Sequence, residues 1–242
     1  KEAVTSARET IAKLIGAKSE EIIFTSGGTE SDNLAVFGAA YGMPRFGKTL
    51  GVFVDSTPSV EEKRGHIITT KFEHHAVLEP CQRLEKEGFD VTYLDVDEDG
   101  IVDPDDVKKA IRPETILISI IYANNEIGTI QPIAEISKII RNFRSTKHEA
   151  LKSKQIQNSN NQNSKISDFG FRISDLTMYP LFHTDACQAA GYLDLNINNL
   201  GVDLMTVNGS KIYGPKGAGF LYKRAGVKIK PQIIGGGQEM RT

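Results

Sequence analysis

Asn208-Gly209-Ser210-Lys211-Ile212-Tyr213-Gly214-Pro215-Lys216-Gly217 fixes a lysine in a Gly-Pro-Gly turn directly after the apolar run 203–207. Gly219-Phe220-Leu221-Tyr222 follows as a return strand able to pair with that run. A second apolar run, residues 179–183, leads into His183-Thr184-Asp185-Ala186-Cys187-Gln188, with Asp185 placed 26 positions ahead of Lys211. A lysine beside a glycine turn reads as a plain structural turn as readily as it reads as a site, so the rest of the chain has to decide.

Working outward, residues 1–15 carry Ala3, Val4, Ala7, Ile11, Leu14 and Ile15 at helical spacing, and Gly16 suits the position after a helix end. Residues 21–25 read as a short buried strand. Ser26-Gly27-Gly28-Thr29-Glu30-Ser31 then opens a helix through Asn33, Leu34, Val36 and Phe37. Strand, glycine loop and helix is an arrangement in which backbone N–H groups and the helix dipole hold a phosphate, although a tight turn is an equal reading of Gly27-Gly28 alone. Neither the GxGxxG nor the GK[ST] nucleotide pattern is present, which favours a single phosphate.

Residues 42–65 read as a surface loop, 66–70 as a strand, and Glu73-His74-His75-Ala76-Val77-Leu78 as the start of a helix reaching about Gly88. Strand 91–94 and helix 104–111, with Asp103 as cap and Pro104 at its first position, come next. The continuous apolar run 116–122 is expected to be a strand covered on both faces. It delivers Asn124-Asn125-Glu126-Ile127-Gly128 and then an amphipathic helix through Ile133, Ile136, Ile139 and Ile140. Strands alternating with helices predict an α/β fold whose mostly parallel sheet has helices on both faces. Within residues 153–167, eleven of fifteen are Ser, Asn or Gln, so residues 145–178 are expected to form a partly disordered insertion.

With 39% hydrophobic and 25% charged residues, the 242-residue chain has the composition of a globular protein, and its formal charge of −2 gives no basic field for nucleic acid or a membrane surface. No apolar run reaches the roughly eighteen residues of a membrane span, no leader is visible, and a cytoplasmic location is the default expectation. Cys81 and Cys187 are too few for a disulfide framework and show no metal spacing. His183 and Asp185, on alternate strand positions, share a face and offer two ligands to one ion, but no third ligand has suitable spacing and no metal is expected.

A lysine that can form a Schiff base and a strand-end carboxylate that can keep a pyridine nitrogen protonated are what pyridoxal 5′-phosphate chemistry requires. The segments SGGTESDNLA, EHHAVLEP, ANNEIGTIQP, HTDACQAAG, NGSKIYGPKGAGFLY and GGGQE, in this order from residue 26 to 239, resemble the class V aminotransferase-like, fold-type I enzymes. The likeness is strongest to the cysteine desulfurases and selenocysteine lyases.

That resemblance implies a seven-stranded-type sheet and a pyridoxal phosphate-binding large domain over 1–242, incomplete at both ends and lacking the small C-terminal domain. It implies that Lys211 carries the cofactor, that Asp185 pairs with the ring nitrogen, and that His74 stacks on the ring and shuttles protons. Asn125 and Gln188 would lie beside the ring, and Gly28, Thr29, Asn208 and Ser210 would hold the phosphate. Asn125 as a simple turn cap remains an alternative reading.

The implied reaction removes sulfur from L-cysteine to leave L-alanine and an enzyme persulfide for iron–sulfur cluster or thiolation pathways, in a homodimer that serves a scaffold or acceptor protein. L-selenocysteine as substrate, a transaminase, a cysteine lyase and a catalytically inactive scaffold are the alternatives. Ser210 stands where the family commonly has histidine, and Asn208 where it has serine or threonine. The family's catalytic cysteine lies in a region outside this sequence, so the piece alone is expected to be inactive.

Overall fold

In the computed structural model, residues 2–43, 64–159 and 178–235 are described. Most of the loop expected over 42–65, residues 160–177 of the polar tract, and most of GGGQE lie outside them. Among the described residues the helices α1 (Glu2–Ile15), α2 (Gly28–Gly42), α3 (His75–Lys86), α4 (Pro104–Ala110), α5 (Ile133–Ser159) and α6 (Ile197–Leu200) surround the sheet. Its seven strands are β1 (Ile22–Thr25), β2 (His66–Thr70), β3 (Asp90–Leu94), β4 (Thr115–Ser119), β5 (Leu181–Asp185), β6 (Leu204–Asn208) and β7 (Gly219–Lys223), in the order β1-β7-β6-β5-β4-β2-β3.

The pairs from β6 through β3 are parallel, and β7 is antiparallel to both β6 and β1. It follows that β1 runs in the same direction as the parallel block, and six of the seven strands end at one edge. The expected mostly parallel sheet and the pairing of β7 with β6 are both present.

Alternation along each strand divides the core in two. Ile23, Ile67, Leu117, Leu181, Leu204 and Leu221 face α2 and α3, whereas Ile22, Ile68, Ile118, Phe182, Met205 and Tyr222 pack with α1, α5 and α6 on the other side. Further along the α2 face, the same alternation places Thr69, Ser119, His183 with Asp185, and Thr206, all buried. The face is therefore apolar over its lower half and polar toward the strand ends, where open α/β sheets take ligands.

Local rules account for the helix boundaries. Asp103 Oδ1 accepts from the Asp105 N–H at 2.8 Å with Pro104 at the first position of α4, and Asn196 caps α6 in the same way. Beneath the sheet, Asp203 is 1% exposed and takes an ion pair from Arg144 of α5, another from Arg224 at 3.3 Å, and the Phe182 N–H at 2.8 Å. Helix α5 continues into the polar tract as far as Ser159.

Candidate active site

The edge where these strands end carries a pocket lined by Gly28, Thr29, Asp32, His74, Ile121, Asn125, Asp185, Cys187, Gln188, Asn208 and Lys211. They arrive from five places along the chain: α2 after β1, the N-cap of α3 after β2, the loop after β4, the end of β5 with the loop that follows it, and the end of β6 with the turn that follows it. Eight of the nine sequence-identified residues meet here. Ser210 is the exception, being exposed, with its N–H and Oγ both bonded to Asn208 Oδ1 at 3.2 and 3.1 Å.

The α2 start is built for close approach. Gly27 has φ 153° and supplies no side-chain cap, while a Cβ on Gly28 would sit 2.7 Å from Cys187 Sγ. The first amides of α2 therefore face the pocket mouth uncapped, beside the exposed Thr29 hydroxyl, as an anion site requires. Opposite, Lys211 sits in a 3-10 turn, Gly209–Ile212, closed by the Gly209 N–H to Ala218 O bond at 2.9 Å and the Gly214 N–H to Gly209 O bond at 2.9 Å.

His74 caps α3 through Nδ1, which accepts the Ala76 N–H at 3.0 Å and leaves Nε2 as the nitrogen for other partners. Asn124, not Asn125, stabilises the turn: its Oδ1 accepts from the Glu126 and Ile127 N–H groups at 2.8 and 3.0 Å, and its Nδ2 donates to Phe72 O at 3.1 Å. Asn125 is thereby free to line the pocket. Gln131 is likewise structural, buried and tied to Gly100 O and the Val102 N–H at 2.7 and 2.9 Å.

Asp185 is 4% exposed, and its Oδ1 accepts the Cys187 N–H at 2.8 Å. Below it lies a polar layer absent from the sequence reading. His183 bonds Ser119 Oγ through Nδ1 at 2.8 Å and Thr206 Oγ1 through Nε2 at 3.1 Å, and burial pushes it down to about 3, so it is neutral. Glu73 is pushed up to about 8 by burial, opposed by its hydrogen bonds from Ile121 and Thr70. Asp32 is raised well above the carboxylate range, first by burial and then by the charge of Asp185. Asp32, His74 and Asp185 offer atoms within 4.8 Å of one another, so the groups brought beside Asp185 are Asp32 from α2 and His74 from the α3 cap, and His183 is not in the set.

Burial raises the Cys81 thiol to about 12 and moves Cys187 higher still, helped by Asp185 and Asp32, so neither is a thiolate at neutral pH. The donor set fits pyridoxal phosphate. An amine, a buried carboxylate, an imidazole and an uncapped helix start with a hydroxyl are placed around one pocket.

The aminotransferase class-V model matches residues 1–148 and 158–242. The chain belongs to this class-V family. It is 49% identical over 237 residues to cysteine desulfurase IscS of Dictyoglomus turgidum, covering 98% of this chain and 47% of that protein. To the putative cysteine desulfurase IscS 1 of Bacillus subtilis it is 42% identical over 238 residues, covering 98% and 49%. Among solved structures, SspA in complex with cysteine superposes with a TM-score of 0.73 at 37% identity, covering 99% of this chain and 55% of that one. A NifS-like protein gives 0.72 at 34% identity, covering 98% and 51%. This class-V chain thus spans about half the length of the relatives it matches. Its α/β fold is theirs, and the family match passes over residues 149–157 within the polar tract.

Proposed function

We propose that residues 1–242 form the cofactor-binding domain of a pyridoxal phosphate-dependent cysteine desulfurase, interrupted by an insertion within 145–178. The observation that carries this reading is the convergence of Lys211, Asp185 and the uncapped start of α2 on one pocket. Likeness to proteins named as cysteine desulfurases, and to SspA solved in complex with cysteine, supports L-cysteine as substrate. Pyridoxal phosphate, when bound, supplies an electron sink that weakens bonds around the substrate's α- and β-carbons.

The chain's own residues bind, orient and move protons. Gly28, Thr29 and the first α2 amides hold the phosphate with Asn208, and Ser210 acts by fixing Asn208. Asp185 would hold the ring nitrogen in its protonated form, Asn125 and Gln188 would help orient the ring, and His74 would lie beside it with Nε2 available for a proton. Lys211 Nζ would be the amine that holds the cofactor's aldehyde end, and once freed would be placed to carry protons.

Cys81 and Cys187 are both held as thiols, so neither is assigned as the thiolate that accepts sulfur. Sulfur then passes to an iron–sulfur scaffold or thiolation acceptor. Ile127 and Ile130 on the loop after β4, with Tyr192, Ile212 and Tyr213 near the lysine turn, are exposed apolar groups on loops flanking the pocket, which supports a homodimer closing this edge. Among the described residues no helix is long and apolar enough to cross a membrane, and the cytoplasm is the proposed compartment.

Borohydride reduction of the whole protein loaded with pyridoxal phosphate, followed by peptide mapping, tests the assignment. The label is expected on Lys211. A label on Lys216, or on no lysine, contradicts it.

A further inference from the structure

Asp32 lies one turn beyond Gly28 on the sheet-facing side of α2 and is 1% exposed. Around it stand Asp185 and His183 from β5, Thr206 from β6, Glu73 and His74 from the segment before α3, and Cys187 after β5. Among the described residues it forms no ion pair with a lysine or arginine. His183 Nε2 is 3.6 Å from Oδ1 and already engaged by Thr206 Oγ1 at 3.1 Å. A dry carboxylate beside a second carboxylate, with no cation to compensate it, takes up a proton. Two such groups titrate as one unit, as in other carboxylate dyads.

We propose that Asp32 is a protonated positioning residue whose O–H donates to the Asp185 carboxylate, so that the pair holds one proton and one negative charge. This rests on the reading that Asp185 meets the ring nitrogen of pyridoxal phosphate. Asp185 is then held by two donors, the Cys187 N–H on Oδ1 and the Asp32 hydroxyl, and presents a single charge to a singly charged pyridinium. A second ionised carboxylate would leave that site with excess charge, and an empty position would leave Asp185 free to turn. Helix α2 thereby sets both ends of the cofactor, its first turn facing the phosphate and its next turn fixing the ring nitrogen's partner.

The test uses the whole protein with Asp32→Asn, Asp32→Leu and Asp185→Asn variants. In the cofactor-free protein at pH 7, infrared difference spectroscopy of wild type against Asp32→Asn is expected to show loss of one carboxylic-acid carbonyl band, distinct from the band of Glu73, which persists in both. Asp32→Asn keeps an N–H donor and should hold pyridoxal phosphate within about threefold of wild type, whereas Asp32→Leu should weaken it by about tenfold or more, the loss expected for a hydrogen bond to a charged group.

Thermal unfolding of cofactor-free Asp32→Leu should be at or above wild type, since an apolar side chain replaces a buried acid of similar volume. A merely structural role would lower unfolding temperature and affinity together. No carboxylic-acid band lost in Asp32→Asn, or wild-type affinity in Asp32→Leu, overturns the proposal while Asp185→Asn still weakens binding. Wild-type affinity in Asp185→Asn overturns the ring-nitrogen reading and this proposal with it.

Discussion

Glu73 Oε1 accepts the Ile121 N–H at 2.8 Å, fastening the residue ahead of the α3 cap to the chain leaving β4. Thr70 Oγ1 donates to the same oxygen at 2.9 Å, while Oε2 has no hydrogen-bond partner among the described residues and is the oxygen left to carry a proton when Glu73 is neutral. Through this clamp, His74 from one strand end and Ile121 from another keep a fixed separation across the pocket.

The clamp makes stability depend on pH. Glu73 has its folded value raised from 4.5 to about 8, so its contribution is full below 4.5 and is lost as pH rises through 8. His183 is lowered from 6.5 to about 3, so its contribution is full above 6.5 and is lost as pH falls through 3. Between 4.5 and 6.5 the two slopes oppose each other, and above 6.5 only the Glu73 slope remains, joined by Asp32 in the same direction. Denaturant unfolding of the cofactor-free protein should therefore show falling stability above neutrality. Glu73→Gln should make that fall shallower by up to about 1.4 kcal/mol per pH unit. An identical alkaline slope in the variant would contradict the protonated clamp.

Asp203 joins α5, β5 and the end of β7 through Arg144, the Phe182 N–H and Arg224. Asp203→Ala leaves a half-buried guanidinium without its partner and an amide unsatisfied. The expected cost is roughly 3–5 kcal/mol of unfolding free energy. A loss below about 1 kcal/mol, the size of a surface pair, would show that the bridge contributes little.

Gly28→Ala should weaken pyridoxal phosphate binding, since its Cβ would lie 2.7 Å from Cys187 Sγ and displace the start of α2. Adding Cys187→Ala removes the opposing sulfur and should restore most of the affinity, a coupling of at least about 1 kcal/mol in a double-mutant cycle. Strict additivity would place the cause elsewhere.

Deletion of residues 153–167 should leave cofactor content unchanged, because among the described residues the buried α5 isoleucines, Ile133, Ile136 and Ile140, precede it. Spectrophotometric titration of bound cofactor checks this, and a large loss would make the tract structural.

Strand positions were legible because buried parallel strands are short apolar runs ending in glycine or polar turns, and β1, β2 and β4 to β7 all have that form. The run 116–122 leaves the ladder after Ser119, where the chain turns toward the pocket and keeps single bonds from the Ile120 and Tyr122 N–H groups to β5 carbonyls. Site residues on strand ends and glycine loops were legible for the same reason. Asp32 was not: in sequence it is one acid in a helix with other polar residues, and only packing of α2 over β5 and β6 buries it. The division of labour between Asn124 and Asn125 also needed coordinates, because either side chain suits a turn.

Asp185 is proposed to keep the ring nitrogen of bound pyridoxal phosphate charged. Asp185→Asn is nearly isosteric and still accepts the Cys187 N–H through its amide oxygen, so folding and covalent attachment at Lys211 should persist. Steady-state conversion of L-cysteine to L-alanine by the whole Asp185→Asn protein measures the loss of the electrostatic partner. A fall of about a hundredfold or more is expected, equivalent to roughly 3 kcal/mol in the barrier. Turnover close to the wild-type rate would contradict it and remove Asp185 from the active site.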